Sequence, residues 1–182
     1  MRIIAGQLRG KSMVAPEGMQ TRPTSDRARE SLFNILNSIL LKQGLSWSDI
    51  IFADVFAGSG AIGIEALSRG AKDVYFMEND KKALDCIKKN IGHLSHAHLL
   101  ASDALNPPTC KPVTILFMDA PYGKGLWQEA LVAFEREGWI DGKTLIIIET
   151  DKKLKEVLPD GYTLLQERSA GRNTFLFTRK ES

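Results

Sequence analysis

The stretch Asp54-Val55-Phe56-Ala57-Gly58-Ser59-Gly60-Ala61-Ile62-Gly63 decides how this chain folds. A short apolar run over 50–55 leads into it, and helical spacing over 61–69, closed by Gly70, leads out. Glycines between a strand and a helix let backbone N–H groups come close to a ligand, and the helix start adds partial positive charge. Gly58, Gly60 and Gly63 match the spacing G-x-G-x-x-G in the required strand–loop–helix context. The same glycines would also serve a tight turn and close helix packing. Asp54 is an acid at the strand's C-terminal end, where open α/β sheets bind their ligands.

Two further acids extend the pattern. Glu78 ends the next apolar strand, 73–77, placed to accept hydrogen bonds from the ribose of NAD or of S-adenosylmethionine. Asp103 follows a weaker strand at 98–101, level with an adenine in a nucleotide-binding sheet. Amphipathic helices are predicted over 81–94 and 126–137, and apolar strands over 113–118 and 144–149. A short helix is expected at 152–158, then two strands, 162–167 and 174–178, joined by Gly171-Arg172-Asn173. Short apolar strands alternating with helices mean a parallel sheet covered on both faces, here with an antiparallel edge strand.

Upstream, strand candidates at 2–5 and 12–15 flank a turn at Arg9-Gly10-Lys11. Pro23 holds Arg22 extended, Thr24 or Ser25 caps a helix, and Ala28, Leu32, Ile35, Leu36, Ile39 and Leu40 form its apolar face, ended by Gly44. The division expected is a basic hairpin arm over 1–20 and one α/β domain over 21–182. Residues 1–30 carry Arg2, Arg9, Lys11, Arg22, Arg27 and Arg29 against Glu17, Asp26 and Glu30, so the whole net charge of +2 originates there. Such an arm can follow a phosphate backbone, or be a solvated basic segment.

The 182 residues, 43% apolar and 25% charged, suit one globular domain and exclude wholesale disorder, collagen and a pure coiled coil. Cys86 and Cys110, with no C-x-x-C, give no disulfide framework and no zinc or redox motif. Cys86 on an amphipathic helix and Cys110 in a Pro-rich loop do not read as nucleophiles. His93, His96 and His98 straddle a helix end and a loop and read as surface residues, so no metal is expected. No apolar run nears the ~20 residues that span a bilayer, and the first residues lack a secretory stretch, so a cytoplasmic protein without membrane contact is expected.

Asp119-Ala120-Pro121-Tyr122 follows the strand over 113–118, on the same ligand edge. It resembles the Asn/Asp-Pro-Pro-Tyr motif of methyltransferases that act on planar amines. An exocyclic amine is a poor nucleophile because its lone pair is delocalised into the ring. The Asp119 carboxylate and the Ala120 carbonyl could each accept one N–H, aiming the nitrogen at the methyl carbon. Tyr122 offers an aromatic face to a base, which would have to be flipped out of any helix. Ala120 departs from the motif's Pro: the carbonyl survives, the fixed φ does not. Gly123-Lys124-Gly125 could form a mobile lip or a plain loop.

Separated motifs in one order then point to a family. Arg2-Ile3-Ile4-Ala5-Gly6, Arg9-Gly10-Lys11, the run Thr21-Arg22-Pro23-Thr24-Ser25-Asp26-Arg27-Ala28-Arg29-Glu30-Ser31-Leu32-Phe33-Asn34-Ile35-Leu36, the glycine loop, and Glu65-Ala66-Leu67-Ser68-Arg69-Gly70-Ala71 resemble the RsmD family. Those proteins methylate N2 of a guanine in small-subunit (16S) ribosomal RNA. The resemblance implies a class I, Rossmann-like, seven-stranded methyltransferase sheet with a small N-terminal hairpin arm, and a monomer acting on ribosomal RNA in a small-subunit particle. It implies S-adenosyl-L-methionine held by Asp54, Phe56, Gly58, Ser59, Gly60, Glu78, Asn79, Asp103 and Ala104. Asp119, Ala120, Pro121 and Tyr122 would be catalytic, and Arg2, Arg9, Lys11, Arg22 and Arg27 would bind RNA, with residues 21–24 near the cofactor or target base. The alternatives are another planar amine, DNA adenine N6 or a protein glutamine, and an NAD-dependent oxidoreductase, which leaves Asp119–Tyr122 without a role.

Overall fold

A computed structural model describes residues 1–16, 24–121, 125–154 and 157–181. Helix α1 runs Asp26–Lys42, with the Ser25 hydroxyl accepting from Ala28 N–H and Asp26 in its first turn. After a 3₁₀ turn at Trp47–Asp49 come β1 (Ile51–Val55), α2 (Ala61–Ser68), β2 (Asp73–Glu78), α3 (Lys81–Ile91) and β3 (Ala97–Ala101). Then follow β4 (Ile115–Met118), α4 (Leu126–Arg136), β5 (Leu145–Asp151), β6 (Tyr162–Ala170) and β7 (Asn173–Lys180).

The seven strands form one sheet in the order β3-β2-β1-β4-β5-β7-β6. Strands β1 to β5 run parallel, while β7 lies antiparallel to both β5 and β6. The chain winds outward from β1 through β2 to β3, then returns to start again with β4 on the other side of β1. The C-terminal ends of β1 and β4 therefore flank the switch point where open α/β sheets hold ligands.

The period of two sorts the strand side chains onto two faces. Phe52, Ile115, Phe117, Leu145 and Ile147 join one core with Leu32, Phe33, Leu36 and Leu40 of α1, Ile62 and Ile64 of α2, and Ile87 of α3. Ala53, Leu116, Met118, Ile146 and Ile148 join the other with Trp127, Leu131 and Phe134 of α4, and with Trp139. Burial of each of the large side chains stabilises the fold by about 1.5–3 kcal/mol.

Residues 1–16 form a strap bound down by polar contacts. Arg2 and Ser12 form a single antiparallel bridge, with Ile3 N–H on Lys11 O and Met13 N–H on Met1 O. The two strand candidates are thus a hairpin of minimal length. Buried Glu65 accepts from the N–H groups of Ile4 and Ala5, and buried Arg29 donates to Arg2 O. Ser68 accepts from Leu8 N–H. Asn90 accepts from Val14 N–H and donates to Val14 O.

The short helix expected at 152–158 is not formed by its described residues. Asp151 Oδ1 instead accepts from Lys153 N–H, and Asp151 O from Leu154 N–H. An acid that captures the following N–H groups makes a turn, which competes with a helix start. Helix α3 also stops at Ile91, three residues short of the expected end, because Gly92 has φ +53°.

Candidate cofactor and acceptor site

The glycine loop is built by backbone geometry its sequence permits. Phe56 takes φ +60° directly after β1, a region that is costly for a non-glycine residue, and Gly58 and Gly60 follow at +56° and +75°. Gly60 caps α2 without any side chain. Among the described residues, no hydrogen bond uses the N–H groups of Ala61 and Ile62, so that helix start is open to an anionic group. A Cβ on Gly58 would touch only Phe56 O, at 3.9 Å, so one side of the loop is bare backbone. Gly63 serves packing instead. A Cβ there would stand 2.3 Å from Phe76 Cε1, so this glycine seats α2 on the sheet.

The acids at the strand ends brace this loop. Asp54, buried, accepts from Gly63 N–H at 2.8 Å. Glu78 Oε2 accepts from Gly58 N–H at 2.9 Å, while its Oε1 accepts from Asn79 and Asp80 N–H. Oε2 of Glu78 keeps a lone pair for a ribose hydroxyl, while Oε1 is taken up by its two N–H donors. Asp103, exposed, accepts from Leu105 N–H, and Ala104 beside it is buried. Ser102 N–H bonds Glu78 O and draws that loop to the end of β2. Ser59 is half-buried and its carbonyl accepts from Asn90. All nine residues expected to hold the cofactor lie in the segments that end β1, β2 and β3 at one edge of the sheet.

Asp119 and Ala120 lie at the same edge. Asp119 N–H reaches Val55 O at 3.4 Å, one step beyond the pairing of Val55 with Met118. Ala120 is buried against the α4 side, and Pro121 is exposed. Tyr122 and the lip residues Gly123 and Lys124 lie outside the described residues, as does Arg22.

One member of this edge carries no sequence motif. Glu149 of β5 is 2% exposed, and the Met118–Ile148 pairing brings it level with Asp119. Burial pushes the Asp119 carboxyl up to about 7. Burial also pushes Asp54 well above the usual carboxylate range against the pull of Gly63 N–H, with the charges of Asp119 and Glu78 adding to the rise. Glu149 rises for the same reasons, burial first and the Asp119 charge next. Two buried acids, Asp54 and Glu149, crowd the half-buried Asp119. A cationic sulfonium brought to this edge would meet attraction, and the residues present fit such a donor.

On the strap side, Arg2, Arg9 and Arg27 come together around a hollow of about 350 Å³ between the hairpin and α1, with Asp26 and Glu30 on its wall. Asp26 pairs with buried Arg29 at 3.0 Å, leaving the three exposed arginines the stronger field. Lys11 is half-buried and donates to Asn90 O at 2.9 Å, away from the residues that line the hollow. His96 and His98 are exposed and both contact Asp73. Among the described residues no cluster could hold a metal ion, and no helix is long and apolar enough to cross a membrane.

The family model described as Conserved hypothetical protein 95 matches residues 1–179. The chain belongs to this family, the RsmD family. The RsmD family chain named ribosomal RNA small subunit methyltransferase D in Escherichia coli is 34% identical over 100% of this chain and 91% of its own. The Haemophilus influenzae protein of the same name is 35% identical, over 94% and 89%. The solved yhhF protein of E. coli superposes with TM-score 0.82 at 33% identity, covering 100% of this chain and 98% of that one. A more distant precorrin methyltransferase from Geobacter metallireducens, 15% identical, shares the fold at TM-score 0.64. The fold is that of class I methyltransferases, and S-adenosylmethionine is the methyl donor this RsmD-family fold implies.

Proposed function

We propose that this RsmD-family protein transfers a methyl group to the exocyclic N2 amine of a guanine in small-subunit ribosomal RNA. Ribosomal RNA methylation is the activity carried by the names of its relatives. The observation that supports amine chemistry is the position of Asp119, one step past β4 and across the switch point from the glycine loop.

S-adenosylmethionine supplies the electrophilic methyl when bound. Gly58, Ser59, Gly60 and the open start of α2 hold its polar tail, Asp54 and Phe56 line its way past β1, and Glu78 with Asn79 takes the ribose. Asp103 and Ala104 take the adenine. The Asp119 carboxylate accepts one N–H of the guanine amine and the Ala120 carbonyl accepts the other. That orients the nitrogen lone pair and stabilises the positive charge that develops on it. Asp119 need not be a strong base, because the amine loses its proton readily once methylated. Pro121 shapes the loop and Tyr122 stacks on the extruded base. Arg2, Arg9 and Arg27 around their hollow contact backbone phosphates, joined by Lys11 and Arg22. The test is mass-spectrometric mapping of methylated nucleotides in ribosomal RNA from cells with and without the protein. Loss of one N2-methylguanine is expected, and an unchanged map would sink the proposal.

A further inference from the structure

Glu149 has no part in the chemistry described so far, yet it is among the most buried charged side chains of the molecule. No cation meets it among the described residues. Its partners are the Thr24 hydroxyl, which reaches both carboxylate oxygens at 2.9 and 3.1 Å, and the Asn173 side-chain amide from the start of β7. Thr24 precedes Ser25, the N-cap of α1, and is the point where the chain from the basic strap joins the main domain. On its other side Glu149 stands level with Asp119. One buried side chain thus touches the start of α1 and borders the acceptor loop.

We infer that Glu149 is a positioning residue for methyl transfer: it fixes Thr24 at the sheet edge, so that the RNA-holding N-terminal segment and the Asp119 loop keep one registry. This rests on the reading of Asp119 as the amine acceptor. The proton affinity of Glu149 is raised by burial and by the Asp119 charge beyond what the bonds from Thr24 and Asn173 offset. The side chain accepts from the Thr24 hydroxyl and from the Asn173 amide, both of which reach its Oε1. Glutamine can keep both bonds, because its Oε1 can accept from the Thr24 hydroxyl and the Asn173 amide together. An isolated ionised carboxylate would be costly in this position, which explains why the fold tolerates the acid only with these partners.

The experiment compares Glu149→Gln, Glu149→Ala, Thr24→Val and Asp119→Ala in the full chain, using single-turnover methyl transfer to ribosomal RNA. Calorimetry with S-adenosylmethionine and thermal melting run in parallel. Glu149→Ala is expected to lose on the order of 10²-fold in turnover, the cost of roughly 1 Å of misplacement. Its cofactor affinity should stay near that of the wild type. Glu149→Gln should restore turnover to the wild-type order, and Thr24→Val should reproduce the alanine loss. The double variant Thr24→Val/Glu149→Ala should be no slower than either single one, because both break the same link. Should Glu149→Ala fail to fold, Thr24→Val carries the same comparison. Additive losses, a glutamine variant as slow as alanine, or wild-type turnover in Thr24→Val would each overturn the inference while leaving Asp119 its role. Wild-type turnover in Asp119→Ala would overturn both.

Discussion

Glu78 and Gly58 are joined across neighbouring strands: the carboxylate at the end of β2 accepts the loop N–H at 2.9 Å. The acid expected to receive the ribose also braces the loop expected to receive the rest of the cofactor. Glu78→Ala should therefore weaken S-adenosylmethionine binding by about 1–3 kcal/mol, the cost of leaving hydrogen-bonding groups unpaired. Glu78→Gln, which can still accept from Gly58, should lose less. Equal affinity of all three proteins in calorimetry would remove Glu78 from the site.

Asp119 is the residue whose loss should cost turnover most while sparing cofactor affinity. Removing one preorganised partner of a developing charge costs ~10²–10³ in rate, and Asp119→Ala should show it in single-turnover transfer. The ionised form does the work, so the rate should climb as pH rises toward about 7 and then level off. A bound sulfonium would move that midpoint lower. The stability of the free protein follows the opposite sign. A carboxyl whose folded value is raised from 3.8 to about 7 holds its proton more tightly when folded, so its contribution is full below 3.8 and is lost as pH rises through about 7. Asp119→Asn should flatten that fall in a pH series of thermal melts.

Arg2 and Arg9 share the wall of one hollow with Arg27. Neutralising Arg2 and Arg9 together should weaken RNA binding and reduce the log–log salt slope by roughly 0.7–0.9 for each lost phosphate contact. Lys11→Ala differs, since it also removes a bond to Asn90 O and should loosen the strap. A salt slope equal to the wild type in the Arg2/Arg9 variant would place the RNA elsewhere.

Gly63→Ala tests the packing role of the third glycine. The new methyl would meet Phe76 and Val74 side-chain carbons at 2.3 to 2.9 Å. Overpacking of this kind costs about 1–3 kcal/mol. The melting temperature should drop by roughly 2–4 °C per kcal/mol, and an unchanged melt would show that the helix can slide away from the sheet.

Ala120→Pro returns the acceptor loop to the motif it resembles. Among the described residues no hydrogen bond uses Ala120 N–H, so proline removes no donor that is in use. The carbonyl is retained, and turnover should equal or exceed the wild type. A loss of turnover would mean that this chain needs a φ proline cannot adopt.

Local chemistry wrote much of this molecule into its sequence. The strands and helices from 24 to 149 follow from the periods of two and 3.6 in their apolar residues, which act over a few neighbours only. Phe56-Ala57-Gly58-Ser59-Gly60 and the acids at Asp54, Glu78 and Asp119 were legible because each follows its own strand directly, and parallel strands must end at one edge. The turn at Asp151 was not, because Lys152 and Lys153 satisfy a helical pattern until the Asp151 carboxylate takes the N–H groups that follow. Sequence leaves Glu149 and Asn90 without distinction, as single polar residues in apolar or amphipathic runs, and shows Arg29 and Glu65 only as members of longer motifs, with no sign of what they bind. Glu149 meets Thr24 across 125 positions and Asn90 meets Val14 across 76, with no local signal linking either pair. Only the strand order, which sets β5 beside β4 and lays the strap across α2 and α3, brings these groups out of water together. Once there, burial forces each to find a partner, and those partners tie the strap and the start of α1 to the sheet.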